Sequence, residues 1–395
     1  MDRSAQNGGH FLALDSLRGI CALAVVLFHF RTTGTLSNLA FVRHSWMFVD
    51  FFFVLSGFVI AAAYGRRLAE GDVSIRRFMW LRMGRIYPLH IAVIAAMVVL
   101  EILGSTVLSQ FAGREAFSGR VSVTALFQNI FLLNSFGVSD HLTWNGPSWS
   151  IAAEMWMYLL FALVFACCGR ARWAVLWGLG MAAALGFLIA APNALNATYD
   201  YGFIRCVYGF SLGTLVFCLF QRGFTLGGTL AEAVVVGITI LFVSLVGSGK
   251  LTVLAPIVFA LPILVLAKGE GAIARLMTTR ILAWLGTISY SVYMIHGFVE
   301  GRIADIIQLG GGSLGLSILH KKGMSEFPTE IISGSPVMLD LLVVLTALIV
   351  IGLGSLSYLI IEKPCRDWSR RVDVGRRVAR DVRNPAVTDD PAALP

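Results

Sequence analysis

Three stretches of this sequence place ionisable side chains inside otherwise apolar runs. The first, LALDSLRGICALAVVLFHF, carries Asp15, Arg18 and His29. On an α-helix Arg18 and His29 return to within about 20° of the same face and stand about 16 Å apart along the axis. Asp15 precedes Arg18 by one turn, the spacing of an ion pair. The second stretch, SWSIAAEMWMY, sets Ser150, Glu154 and Tyr158 at four-residue steps on one face. The third, SYSVYMIHGFVE, aligns Ser289, Tyr293, His296 and Glu300 in the same way. Charge inside a bilayer costs several kcal/mol unless it faces the interior of a bundle, and there it marks a functional path. Taken singly, each group also has a plainer reading. Asp15 and Arg18 could anchor a helix at the inner interface, His29 could be packed, and Glu154 could pair with a protein cation. Three stripes together predict a polar cavity, and a histidine facing it has the chemistry of a general base near neutral pH.

A fourth segment, RRFMWLRMGRIYPLH, spaces Arg82 and Arg85 three apart, close behind Arg76 and Arg77. Guanidinium forks suit bidentate phosphate recognition. Ordinary membrane topology also concentrates arginine on one side, so both readings stand here. Tyr87 and Pro88 read as punctuation where a span begins.

The elements that must carry these residues follow from composition. Of 395 residues 57% are hydrophobic and only 14% charged, and mean hydropathy is +0.78. A soluble domain carries about 25% charged residues. The apolar residues fall in runs near the length that crosses a hydrocarbon core of about 30 Å. The expected architecture is all-α, a polytopic membrane bundle of about ten helices. Their spans lie near 11–30, 46–65, 86–104, 148–168, 173–191, 202–220, 229–247, 251–267, 282–304 and 338–361. The net charge of +8 does not imply nucleic acid. With the N-terminus inside, 21 Lys and Arg fall in inner segments and 8 in outer ones, an asymmetry that predicts both termini to be cytoplasmic.

Three parts are expected: a cytoplasmic N-terminus at 1–10, a transmembrane domain at 11–365, and a basic, partly disordered cytoplasmic tail at 366–395. The first span is not a cleaved signal, because Asp15 and Arg18 interrupt it and no small-residue cleavage site follows. Segment 124–136 is too short to span and reads as interfacial or re-entrant. Gly310, Gly311 and Gly312 read as a linker in the outer loop 305–337. The six cysteines show no metal-ligand spacing and no disulfide framework, and no metal is expected.

In this order the segments resemble acyltransferase family 3, membrane O-acyltransferases that include bacterial O-antigen and exopolysaccharide acetylases. The matching pieces are LDSLRGICALAVVLFHF, VDFFFVLSGFVI, RMGRIYPLH, SWSIAAEMWMYL, SYSVYMIHG and IEKP. The resemblance implies a multi-pass protein of the inner (cytoplasmic) membrane. It would move an acyl group, most often acetyl, from cytoplasmic acyl-CoA to a hydroxyl of a carbohydrate or glycolipid. His29 and Arg18 match the family's essential pair, and Arg82 and Arg85 match a motif proposed to bind the donor. Acetyl-CoA is then a donor substrate, and no permanently bound cofactor is implied. With Glu154, these residues make up the expected catalytic and donor-binding set. Asp15, Ser150, Tyr158, Tyr293 and His296 would line the cavity. Met155 stands where the family commonly has a second acidic residue, which leaves a paired-carboxylate role without support. About 30 residues follow the membrane part, as in the family's stand-alone members. A transporter whose stripes line a substrate or proton path is the alternative from another class. Beyond the acyl donor, the acceptor and the bilayer no partner is implied, and oligomeric state leaves no mark on the sequence.

Overall fold

The computed structural model describes residues 11–106, 115–191, 194–224, 227–321 and 329–372. The expected N-terminal segment 1–10 and most of the tail lie outside the described residues. Among the described residues eight helices are long and apolar enough to cross a membrane, and two shorter apolar helices, Thr229–Leu245 and Lys250–Leu266, stand where two further spans are expected. The chain is therefore a multi-pass helical membrane protein, as its hydropathy requires.

Five helices carry the site: α1 (Leu12–His29), α2 (Phe48–Ile60), α3 (Ile75–Thr106), α4 (Trp149–Cys167) and, after intervening helices, α6 (Arg280–Gly310). Between them α5 (Gly202–Gln221) packs against α2, and α7 (Pro336–Ser357) follows α6. The apolar stretches around α2, α4 and α5 are 67%, 61% and 61% buried, against 28% for those of α3 and α7. The first three therefore form the centre, and the others turn leucines outward where lipid would lie. Leu341, Leu345 and Leu348 of α7 are all exposed.

The pairing of α1 with α6 is set by glycine. A Cβ on Gly19 would fall 2.6 Å from the backbone nitrogen of Gly286, and one on Gly286 would overlap the carbonyl of Asp15. Small residues at a crossing let two membrane helices touch backbone to backbone. That contact is what carries Arg18 to Ser289. Gly286→Val is expected to push the helices apart and cost about 1–3 kcal/mol, read as a melting temperature several degrees lower in detergent. An unchanged melting temperature would show the crossing to be plastic.

Two spans are longer than expected. The arginine-rich segment before residue 86 is not a loop: α3 runs unbroken from Ile75 with Pro88 inside it. Proline removes one ladder hydrogen bond, yet arginine, leucine and methionine are good helix formers, and membrane helices tolerate proline where neighbours satisfy the freed groups. Likewise the last helix does not stop before IEKP. After α7 a π-helical turn, Tyr358–Glu362, leads into further helix through Val372. Glu362 is thus a buried residue within a span.

Two segments between spans add shorter elements, the first too short to span, as expected, and the second more structured than a linker. Segment 124–136 holds only a short helix, Val123–Ile130, tied to α3 by the Tyr87 hydroxyl donating to the Ile130 carbonyl at 3.0 Å. The loop 305–337 is largely ordered. Helix α6 continues to Gly310, and β1 (Ser317–Lys321) pairs antiparallel with β2 (Thr329–Ser333). The amide of Ile332 donates to the Arg31 carbonyl at 3.0 Å, and the amide of Thr33 donates back to Ile332 at 2.9 Å. The hairpin therefore holds the chain directly after His29.

Candidate active site

Five helices enclose a cavity of about 120 Å³. Its walls include Arg18 from α1, Phe52 and Ser56 from α2, and Arg82 and Arg85 from α3. Ser150, Glu154 and Tyr158 come from α4, and Ser289, Tyr290 and Tyr293 from α6. The three polar stripes thus converge, because four-residue steps keep each on the face its helix turns inward.

Arg18 is held at several points. Its Nε donates to Ser289 Oγ at 2.9 Å, and Nη2 donates to the Gly286 carbonyl at 3.1 Å and pairs with Asp15 Oδ1 at 3.1 Å. On α4 the Tyr158 hydroxyl donates to Glu154 in a very short hydrogen bond and lies 2.9 Å from Ser56 Oγ. Ser150 Oγ and the Tyr293 hydroxyl are 2.7 Å apart. Arg82 donates to the Tyr64 hydroxyl at 3.0 Å and stacks its guanidinium on the Tyr64 ring, 4.9 Å from the centroid. The cavity floor therefore carries three guanidinium groups, with Glu154 as the one carboxylate among its described lining residues.

His29 is not in that wall. It sits at the far end of α1 with an exposed ring, and its Nδ1 lies 2.9 Å from the Val25 carbonyl. Its ring is 4.8 Å from that of His296, which is 5.4 Å from the ring of Tyr293. Tyr293 is the side chain shared by the cavity and the histidine pair. Of the expected residues, Arg18, Arg82, Arg85, Ser150, Glu154, Tyr158 and Tyr293 therefore meet at one cavity. His29 and His296 form a second group behind Tyr293, and Asp15 acts through Arg18.

Sequence reasoning missed four buried or orienting polar residues, two of them outside the site. Tyr64 orients Arg82. Glu362 accepts from Ser291 Oγ at 2.8 Å while fully buried, and the IEKP motif was its only signal. Asp50 and Arg205 form a bidentate ion pair at 2.8 and 2.7 Å between α2 and α5, both essentially inaccessible. Asp50 lies within VDFFFVLSGFVI and carried a signal as an acid in an apolar run.

The bundle thus holds a cationic cavity and, beyond Tyr293, a histidine pair. Residues 11–359 match the acyltransferase domain family, and the chain belongs to it. The chain is 24% identical over 390 residues to the acyltransferase MdmB of Streptomyces mycarofaciens, covering 93% of this chain and 89% of that protein. It is 22% identical over 344 residues to the peptidoglycan O-acetyltransferase OatA of Listeria monocytogenes, covering 78% of this chain and 52% of OatA. It is also 23% identical over 414 residues to the putative peptidoglycan O-acetyltransferase YrhL of Bacillus subtilis, with 95% and 59% covered. The chain thus spans about half to three-fifths of the length of those two O-acetyltransferases. No solved structure matches. Membership of an acyltransferase family weighs against the transporter reading.

Proposed function

We propose that this protein is an acyl-CoA-dependent O-acyltransferase of the cytoplasmic membrane, transferring most often an acetyl group to a hydroxyl of a carbohydrate or glycolipid. The observation that supports the reading is a narrow cavity lined by three arginines and bounded by Tyr293, whose ring lies 5.4 Å from that of His296, itself 4.8 Å from the His29 ring. Pockets that enclose whole drug-sized ligands measure about 300–1,000 Å³, so 120 Å³ admits only a slender chain. The nucleotide of coenzyme A would stay at the arginine-rich end, its phosphates held by Arg82 and Arg85, with the pantetheine arm entering past Glu154 and Tyr158. The positive-inside asymmetry supports a cytoplasmic position for that end.

Transfer would occur beyond Tyr293. A carbonyl oxygen can only accept, so the His29–Val25 contact fixes the proton on Nδ1 and leaves Nε2 as the basic lone pair. Nε2 takes the acceptor's proton as its oxygen bonds to the acyl carbon. The carbon–sulfur bond breaks, its electron pair leaves with sulfur, and coenzyme A is released as the thiol after protonation. Arg18 stands about 16 Å down the helix from His29, too far to stabilise charge there. Its place is in holding the cavity and the donor.

The test is acetyl-CoA turnover by the purified protein in nanodiscs, read as coenzyme A release and ester formation. Arg82→Ala with Arg85→Ala is expected to raise KM for acetyl-CoA at least tenfold, with a smaller effect on kcat. Unchanged donor affinity would assign these arginines to topology. No coenzyme A release by the wild type under any condition would overturn acyl-CoA as the donor.

A further inference from the structure

The outer group contains buried acceptor atoms that nothing among the described residues satisfies. His296 is fully buried; its Nδ1 lies 2.5 Å from the Tyr293 carbonyl, which fixes the proton on Nδ1 and leaves Nε2 as a lone pair with no partner. Asn145 is 1% exposed, donates its Nδ2 to the Met294 carbonyl at 3.0 Å, and leaves Oδ1 without a donor. Asn145 Oδ1 would lie 3.5 Å from a Cβ on Gly297, the residue after His296, so the amide oxygen lies beside this turn of α6. One turn further on, Glu300 Oε1 is buried and likewise without a partner. His296 Nε2 and Asn145 Oδ1 can only accept hydrogen bonds, whereas Glu300 accepts as a carboxylate and donates when its carboxyl is protonated. Buried polar groups are rarely left unpaired, because each has given up its water without gaining a partner.

Resting on the reading of His29 as the base, we infer that this group is the acceptor subsite, and that it selects a molecule presenting two neighbouring hydroxyls. One hydroxyl donates to His29 Nε2 and is acylated. The other donates to His296 Nε2 and is held without reacting. Both imidazoles are in the same tautomer and their rings are 4.8 Å apart, so an acceptor seated against the open His29 ring lies beside the unpartnered Nε2 of His296. A single hydroxyl has one proton and satisfies one imidazole. A diol satisfies both, and further hydroxyls of a sugar ring would serve Asn145 and Glu300. His296 also differs from His29 in what it can do. It is fully buried beside Tyr293, which suits recognition, while the exposed His29 ring is open to an incoming substrate.

The experiment compares two probes of equal carbon skeleton, cis-1,2-cyclohexanediol and cyclohexanol, as acceptors from acetyl-CoA in nanodiscs. Monoester formation is read by mass spectrometry. The wild type is expected to favour the diol at least tenfold in kcat/KM, expressed mainly in KM, the size of one satisfied buried hydrogen bond. His296→Phe keeps an aromatic ring against His29 and Tyr293 but removes the acceptor; the preference should fall to near unity. His296→Gln restores an acceptor oxygen and should recover most of it. Equal use of the two alcohols by the wild type overturns the proposal without any variant, as does failure of the diol to be acylated while coenzyme A is still released to water. A preference that survives His296→Phe also overturns it. Absence of all coenzyme A release would instead defeat the underlying reading of acyl-CoA as donor, so the two failures are distinct.

Discussion

His29→Ala is expected to lower acyl transfer by about 10²–10⁴-fold, the usual contribution of a positioned general base, while the protein inserts and runs as a single species in detergent. Folding should survive because the residue is exposed and its one hydrogen bond among the described residues goes to the carbonyl of its own preceding turn. The loss should appear in kcat and kcat/KM together, since the base acts only in the transition state. Donor affinity should be little affected, because the residues proposed to hold coenzyme A lie at the other end of the cavity. Turnover within threefold of wild type would reject the assignment. An acyl-histidine route makes a different forecast: with acetyl-CoA and no acceptor, a peptide containing His29 would gain the mass of one acetyl group. Direct attack leaves that peptide unmodified.

The cavity was legible in the sequence because helices have a fixed period. Ser150, Glu154 and Tyr158 needed only steps of four to be placed on one face, and Ser289 and Tyr293 likewise; the structure turns those faces together. The helices themselves were legible from runs of apolar residues, down to the two that fall short of a full span. Periodicity says nothing about depth across a bundle. His29 shares a face with Arg18, yet it stands beyond Tyr293, because eleven residues of rise carry it past the cavity. Helix ends were misplaced where charge was taken as a boundary. Arg76 to Arg85 belong to α3, and Glu362 to the last span. Partners distant in sequence left no trace: Arg205 is 155 residues from Asp50, and Ser291 is 71 from Glu362. The hairpin was hidden because SILHK and TEIIS are short, and β2 takes part of its pairing from the chain after α1.

The largest stability effect should come from the ion pair that the site does not use. Arg205 is 1% exposed and Asp50 is 0% exposed, joined by two charge-assisted hydrogen bonds, with the guanidinium between the rings of Trp46 and Trp149 at 5.1 and 5.3 Å. A third bond runs from Arg205 Nη1 to the Ala197 carbonyl at 2.9 Å. The pair sits where α2 and α5 press together, with Gly213 packed against the backbone at Val54, so neither helix can move to admit water. Removing one partner leaves a buried charge uncompensated, which costs about 3–5 kcal/mol. Asp50→Ala and Arg205→Ala are each expected to abolish accumulation of monodisperse protein in the membrane fraction. Replacing a buried pair by apolar residues is often close to neutral, so Asp50→Leu with Arg205→Met should recover much of the yield and, because neither residue lines the cavity, acyl transfer as well. A double variant as poor as the single ones would mean that the bonds to Trp46, Trp149 and Ala197, and not charge balance, hold the core. A fully folded Asp50→Ala protein would mean that water reaches Arg205, and with it a bundle centre far less dry than this packing implies.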